Sequence, residues 1–267
     1  MMKTLYDKFC GSGWLMVHKF VTSDDSGDAK VVSRGDAGLA HENDRKYQNR
    51  NVTHGFHMVR GKMGHWMEDF IVADNRKVSG YYLGLYAIFD GHSGCDVAKY
   101  LQSHLFENIL SQMTYHLHSN PRNIMFVKFG DSRAILCRNG KAKGITIDHE
   151  PLKEKKQVEN RGGFVVKLPG NVPRVDGQLA MTRAFGDKKV KKHITAKPDV
   201  IIKKIDKDIN FLILASDGLW KVMSNQEACD CICNITNAQE ASEQLIKEAL
   251  LRESRDDISC IVVMFDG

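Results

Sequence analysis

Three aspartates in this 267-residue chain stand at the ends of strand-like runs. Tyr86-Ala87-Ile88-Phe89 leads into Asp90-Gly91-His92, and Phe211-Leu212-Ile213-Leu214-Ala215 leads into Ser216-Asp217-Gly218. Asp256-Asp257 comes just before the apolar run that starts at Ile258. A strand that ends in a carboxylate and one that begins with a carboxylate can meet at one edge of an antiparallel sheet. Carboxylates gathered there repel one another unless a cation lies among them, which points to a hard divalent metal ion. Glu68-Asp69, beside the run at Phe70, adds oxygen donors of the kind Mg²⁺ and Mn²⁺ prefer. Glycine after Asp90 lets the Gly91 carbonyl approach an ion closely. An Asp-Gly pair alone is a common turn, and Asp176-Gly177 has no such strand before it.

The elements that must hold these residues are mostly strands. Short strands are expected at 55–60 and 70–73, a strong one at 82–89, and others at 124–129, 134–138, 141–146, 164–167 and 211–215. Asn139-Gly140 joins two of them as a hairpin turn. Val97, Ala98, Leu101, Leu105 and Ile109 form one face of a helix over 93–110. Further helices are expected at 153–160, 225–235 and 238–252, while 178–185 reads as a helix or a buried turn. Strands outnumber helices without alternating with them, which predicts an α+β domain rather than a doubly wound parallel sheet. Residues 1–52 read as a weakly ordered N-terminal arm, and the domain is expected to occupy 53–267.

Composition narrows the function classes. A hydrophobic content of 42% with 27% charged residues suits a soluble globular protein. No apolar run approaches the length of a membrane-spanning helix, and residues 1–20 lack the apolar core of a secretory signal, so a cytoplasmic and/or nuclear location is expected. A net charge of +5 suits a phosphorylated partner but is too dispersed for nucleic acid. The partner class from charge alone is a phosphorylated or otherwise anionic one, with no nucleic acid and no membrane, and a monomer is expected. The lysine runs at 153–156 and 188–192 read as solvated faces or loops. Seven cysteines, with no Cys-x-x-Cys pair, read as reduced thiols.

Further motifs follow in order. They are Met67-Glu68-Asp69, Phe89-Asp90-Gly91-His92-Ser93-Gly94, Gly130-Asp131-Ser132-Arg133-Ala134 and Asp148-His149-Glu150-Pro151, then Arg161-Gly162-Gly163. Leu179-Ala180-Met181-Thr182-Arg183-Ala184-Phe185-Gly186-Asp187, Ser216-Asp217-Gly218-Leu219-Trp220 and Asp256-Asp257-Ile258-Ser259 complete the series. From about Gly55 onward the chain resembles the type 2C metal-dependent serine/threonine protein phosphatases, of the plant kind. The resemblance implies a four-layer αββα sandwich of two antiparallel sheets flanked by helices. It also implies two Mg²⁺ or Mn²⁺ ions sharing a water, which hydrolyse phosphoserine and phosphothreonine in proteins.

Carried over position by position, Asp90 bridges both ions and the Gly91 carbonyl binds one. Asp217 and Asp256 hold the other, while Glu68 and Asp69 bind ordered waters or the second ion. His92 either protonates the leaving oxygen or is a turn histidine bonded to a neighbouring carboxylate. Asp257 reads as the solvent-facing start of the last strand and Asp131 as a structural turn residue, with Lys221 disfavouring a third ion. Arg133 and Arg183 read as loop braces.

Two departures stand out. Many relatives carry a phosphate-gripping arginine four positions before the glutamate of Met-Glu-Asp; here that position is Gly64, with Arg60, Lys62 and His65 as substitutes. Only 19 residues separate Leu110 from Gly130, where the family places a second helix and a Gly-Gly-Ser-Thr-Ala strand. This internal deletion predicts an incomplete sandwich with exposed strand edges and apolar surface. The alternative function is then a phosphatase-like binding protein without turnover, or a truncated splice or gene-model product.

Overall fold

The computed structural model describes residues 12–20, 51–78, 81–113 and 123–266. In chain order the strands are β1 (Ser12–Phe20), β2 (Asn51–Val59), β3 (Phe70–Val78), β4 (Tyr81–Asp90), β5 (Asn123–Phe129) and β6 (Arg133–Arg138). There follow β7 (Lys141–Gly144), β8 (Val165–Val166), β9 (Arg174–Val175), β10 (Asp199–Lys204), β11 (Ile209–Ala215) and β12 (Ile258–Asp266). The helices are α1 (Asp96–Met113), α2 (Lys155–Glu159), α3 (Asp217–Trp220), α4 (Asn225–Ile232) and α5 (Ala238–Leu251). Two antiparallel five-stranded sheets, in the orders β10-β5-β1-β4-β3 and β2-β12-β11-β6-β7, form the expected αββα sandwich.

The period of two along a strand explains the layers. Tyr86 and Ile88 of β4 meet Leu212 and Leu214 of β11 and Ile261 and Val263 of β12 between the sheets. The alternate residues of β4, Leu83, Leu85, Ala87 and Phe89, turn outward onto Val97, Ala98, Leu101 and Phe106 of α1. Likewise Ile213 of β11 and Val262 of β12 pack beneath Ala241, Leu245 and Ala249 of α5. With both faces covered, these strands read as unbroken apolar runs, and each buried Leu or Ile contributes about 1.5–3 kcal/mol. Ser224 and Glu227 close a capping box on α4, and the Asn237 side chain accepts N–H bonds at the start of α5.

The centre of the first sheet differs from expectation. Within the stretch 1–52, expected as an arm, Ser12–Phe20 is a central strand and Asn51 already begins β2; residues 1–11 and 21–50 lie outside the described residues. β1 pairs antiparallel with β4 from Ser12↔Asp90 to Phe20↔Tyr82, and with β5 from Gly13↔Phe129 to His18↔Ile124. The physical reason is the demand of β4 and β5 for ladder partners on their inner edges, which β1 supplies. Cover is thinner on β10, at the edge of this sheet, where Val200 and Ile202 stay exposed. Residues 111–122 read from sequence as a polar loop; 111–113 instead extend α1, and 114–122 lie outside the described residues.

A small lobe between β7 and β10 has its own core of Val158, Val175, Leu179, Met181, Ala184, Val190 and Ile194. Residues 178–185, left open between helix and turn, are an irregular buried segment there. Cys137 of β6 and Cys229 of α4 are joined as a disulfide, in contrast to the reduced thiols expected, and Cys95, Cys231, Cys233 and Cys260 are free. Among the described residues, no helix is long and apolar enough to cross a membrane.

Candidate metal centre

The strand ends converge as their sequence suggests. β4 ends at Asp90, α3 opens on Asp217 just after β11, and Asp256-Asp257 precedes β12. Two glycines permit the approach. A Cβ on Gly91 would lie 2.4 Å from the Glu68 carbonyl oxygen, and one on Gly218 would lie 2.1 Å from that of Asp257. Carboxylate oxygens of Asp90, Asp131 and Asp217 all lie within 4.8 Å of one another. They form the floor of a cleft of about 690 Å³, which Glu68, Asp69, Gly91, His92, Asp187, Asp256 and Asp257 also line. Every residue expected at the metal site is thus on this cleft.

Electrostatics show what the floor lacks. Burial, then the charges of Asp69 and Asp217, push the Asp90 carboxyl well above its ordinary value. Burial lifts Asp69 to about 7, with Asp257 and Asp217 adding to the effect. Asp131 also reaches about 7, through burial and then the Asp217 charge. Asp217 is raised by burial, although Lys221 opposes the shift. Asp69 Oδ2 and Asp131 Oδ1 are buried without a hydrogen-bond partner. Orphaned carboxylate oxygens crowded at one point fit a divalent cation, whose charge would return these groups to the ionised form.

Four residues do more than their sequence context suggested. Asp131 belongs to the cluster rather than to a turn alone. Asp257 does not face solvent: it is buried, and its two carboxylate oxygens accept the Gly61 N–H at 2.7 Å and the Glu68 N–H at 2.9 Å. It thereby ties the loop before β3 to the start of β12. Lys221 Nζ lies 2.6 Å from Asp217 Oδ2 and 2.7 Å from Asp256 Oδ2. Asp187 accepts the His92 Nε2–H at 2.9 Å, while His92 Nδ1 is buried without a partner. Burial lowers the His92 pKa, but the Asp187 hydrogen bond and charge outweigh it, and the net shift is upward.

Asp131 is held from both sides along its own chain. Buried Lys128 donates to Ile147 O at 2.7 Å and to Asp148 Oδ1 at 2.9 Å, and Arg133 grips Asp148 Oδ2 at 2.6 Å and Asn225 at 2.8 Å. Burial lowers the Lys128 pKa to about 8, and Asp148 keeps it from falling further. Arg183 joins Glu154 to Asp199, which it meets at 2.6 Å. Both arginines brace loops, as their positions suggested. Of the three substitutes for the missing arginine, His65 alone lines the cleft. Its ring bonds the Trp66 carbonyl, which raises its pKa, helped by Asp257 and Glu68.

Comparison with known proteins agrees with this geometry. A family profile described as "Protein phosphatase 2C" matches residues 112–258. "Probable protein phosphatase 2C 28" of Arabidopsis thaliana is 51% identical over an alignment of 280 residues, covering 92% of this chain and 82% of its own. "Probable protein phosphatase 2C 58", also of Arabidopsis thaliana, is 46% identical over 251 residues, covering 81% and 89%. Among solved structures, a serine-threonine phosphatase 2C from Toxoplasma gondii superposes with a TM-score of 0.63 at 21% identity, over 80% of this chain and 95% of that one.

Proposed function

Because the chain belongs to the protein phosphatase 2C family, we propose that it removes phosphate from phosphoserine and phosphothreonine in proteins, with the cleft floor holding two Mg²⁺ or Mn²⁺ ions. The carrying observation is the convergence of the Asp90, Asp131 and Asp217 carboxylates within 4.8 Å at the bottom of an open cleft. When bound, the ions supply a water of lowered pKa and neutralise the phosphoryl oxygens.

The residues divide the work. Asp90 would bridge both ions and the Gly91 carbonyl would bind one, with Asp217 and Asp256 on the other. Glu68 and Asp69 would hold ordered waters or the second ion. Glu68 is kept in place by its own bond from the Gly94 N–H at 2.7 Å. His92 carries the proton destined for the serine or threonine oxygen. Asp187 orients the ring through Nε2 and favours its charged form, which leaves Nδ1 to donate. His65 supplies the cation toward the phosphate that Gly64 cannot.

We read β1 as the replacement for the strand that the internal deletion removes, since it fills the space between β4 and β5. The testing experiment is Mn²⁺-dependent phosphate release from phosphoserine and phosphothreonine peptides by the full chain. Turnover that disappears in Asp90→Asn and Asp217→Asn is the expected result. Folded, Mn²⁺-binding protein without turnover would overturn the reading in favour of a binding role.

A further inference from the structure

The two lysines that follow Asp187 line the cleft rather than a remote surface. Lys188 and Lys189 are exposed, stand on the cleft wall, and make no ion pair among the described residues. Their run reads from sequence as a solvated face, yet the His92–Asp187 bond anchors its first turn at the catalytic end. The buried side chain of Val190, packed in the lobe core, fixes the other side. Consecutive Cα atoms are about 3.8 Å apart, so both ammonium groups spring from backbone within about 8 Å of the Asp187 Cα. An extended peptide rises about 3.3 Å per residue. A residue one to three positions from the phosphorylated one therefore comes within reach of these lysines. The floor carboxylates would not compensate them once ions held there take that charge. Beside Arg174, whose guanidinium donates to the Gln178 carbonyl, the wall offers an incoming chain two exposed lysines.

Resting on the phosphatase reading, we infer that this cleft selects phosphorylated segments carrying aspartate or glutamate within three residues of the phosphoserine or phosphothreonine, read by Lys188 and Lys189. Charge complementarity identifies the partner class: an acidic stretch of a phosphoprotein, rather than a basic or neutral one.

The test measures Mn²⁺-supported kcat/KM on three phosphopeptides of equal length with acidic, neutral and basic flanks, beside p-nitrophenyl phosphate, which has no flanks. The acidic peptide is expected to exceed the neutral one by about tenfold, what two exposed ion pairs supply together. The preference should shrink as salt rises from 0.05 to 0.5 M, by roughly the screening of exposed charges. Lys188→Glu combined with Lys189→Glu should reverse the order of the acidic and basic peptides. Lys247→Glu, the same charge reversal on α5, should leave that order intact. Equal rates on the three peptides, or a preference that survives in the double variant, would overturn the inference. So would a parallel loss on p-nitrophenyl phosphate, which would place the lysines on the reacting phosphate itself. A wild-type chain inactive on p-nitrophenyl phosphate would instead sink the phosphatase reading. Anisotropy of the labelled peptides would then still report whether the acidic one binds best.

Discussion

His92 Nε2 and the Asp187 carboxylate lie 2.9 Å apart, although 95 residues separate them in the chain. The bond joins the turn after β4 to the lobe between β7 and β10, and it sets which ring nitrogen is free. Asp187→Asn should lower the His92 pKa and move the alkaline limb of kcat to lower pH. His92→Gln should reduce kcat on a phosphoserine peptide by about a hundredfold, and much less on p-nitrophenyl phosphate, whose leaving group needs no proton. The pH-rate profiles on both substrates check this. The sign for stability follows from a raised folded pKa: the stabilisation is complete below the ordinary histidine value and fades as pH climbs through the raised one. The Tm gap between wild type and Asp187→Asn should therefore be largest on the acid side.

Lys221 occupies space between two proposed metal ligands, so binding at Asp217 and Asp256 competes with its ammonium. Lys221→Ala should tighten Mn²⁺ binding by about tenfold, given that each partly exposed pair is worth at most about 1 kcal/mol. The same change should lower the Tm of the metal-free protein, because Asp217 and Asp256 lose their counter-charge. Calorimetric titration and melting in chelator separate the two effects.

Asp69 and Asp131, both raised to about 7, bind protons in the fold that they release when unfolded. Between the ordinary aspartate pKa of about 3.9 and that raised value, the folded state holds more protons, so their contribution to stability falls as pH rises. Divalent ions reverse this by taking the protons' place. The Tm increase produced by Mn²⁺ should grow from pH 5 to pH 8, and metal binding should release protons. Titration in two buffers of different ionisation enthalpy reads that release. A pH-independent Tm gain would contradict the placement of these carboxylates.

β1 supplies ladder bonds to two neighbours at once, so a proline within it cannot be absorbed as it would be on an edge. Val17→Pro, opposite Leu85 and Met125, should lower Tm on the order of 10 °C. It should also reduce Mn²⁺-dependent activity, since β1 begins at Ser12, opposite Asp90. A melt unchanged from wild type would show that the segment is dispensable.

The carboxylates of the cleft were legible because they flank strands, and a strand with both faces buried leaves an apolar run in sequence. β4, β11 and β12 are of that kind. Asp257 was misread because its burial depends on the loop from Gly61 to Glu68, nearly 200 positions away, which no local pattern reports. Asp131 was underweighted for a related reason: its environment is set by Asp90 of β4 and Asp217 of α3, distant in sequence. Trp14-Leu15-Met16-Val17, preceded by Gly11 and Gly13, was a strand signal of adequate length. The polar stretch that follows it masked its relation to the domain. β10 was likewise overlooked, its lysines and exposed Val200 diluting the alternation.

β1 precedes both of its neighbours in the chain by more than sixty residues, while β5 ends only at Phe129. During synthesis the strand therefore finds its first partner only when β4 is complete at Asp90, and its second only at Phe129. Long-range pairing of this kind slows folding and prolongs the exposure of open strand edges.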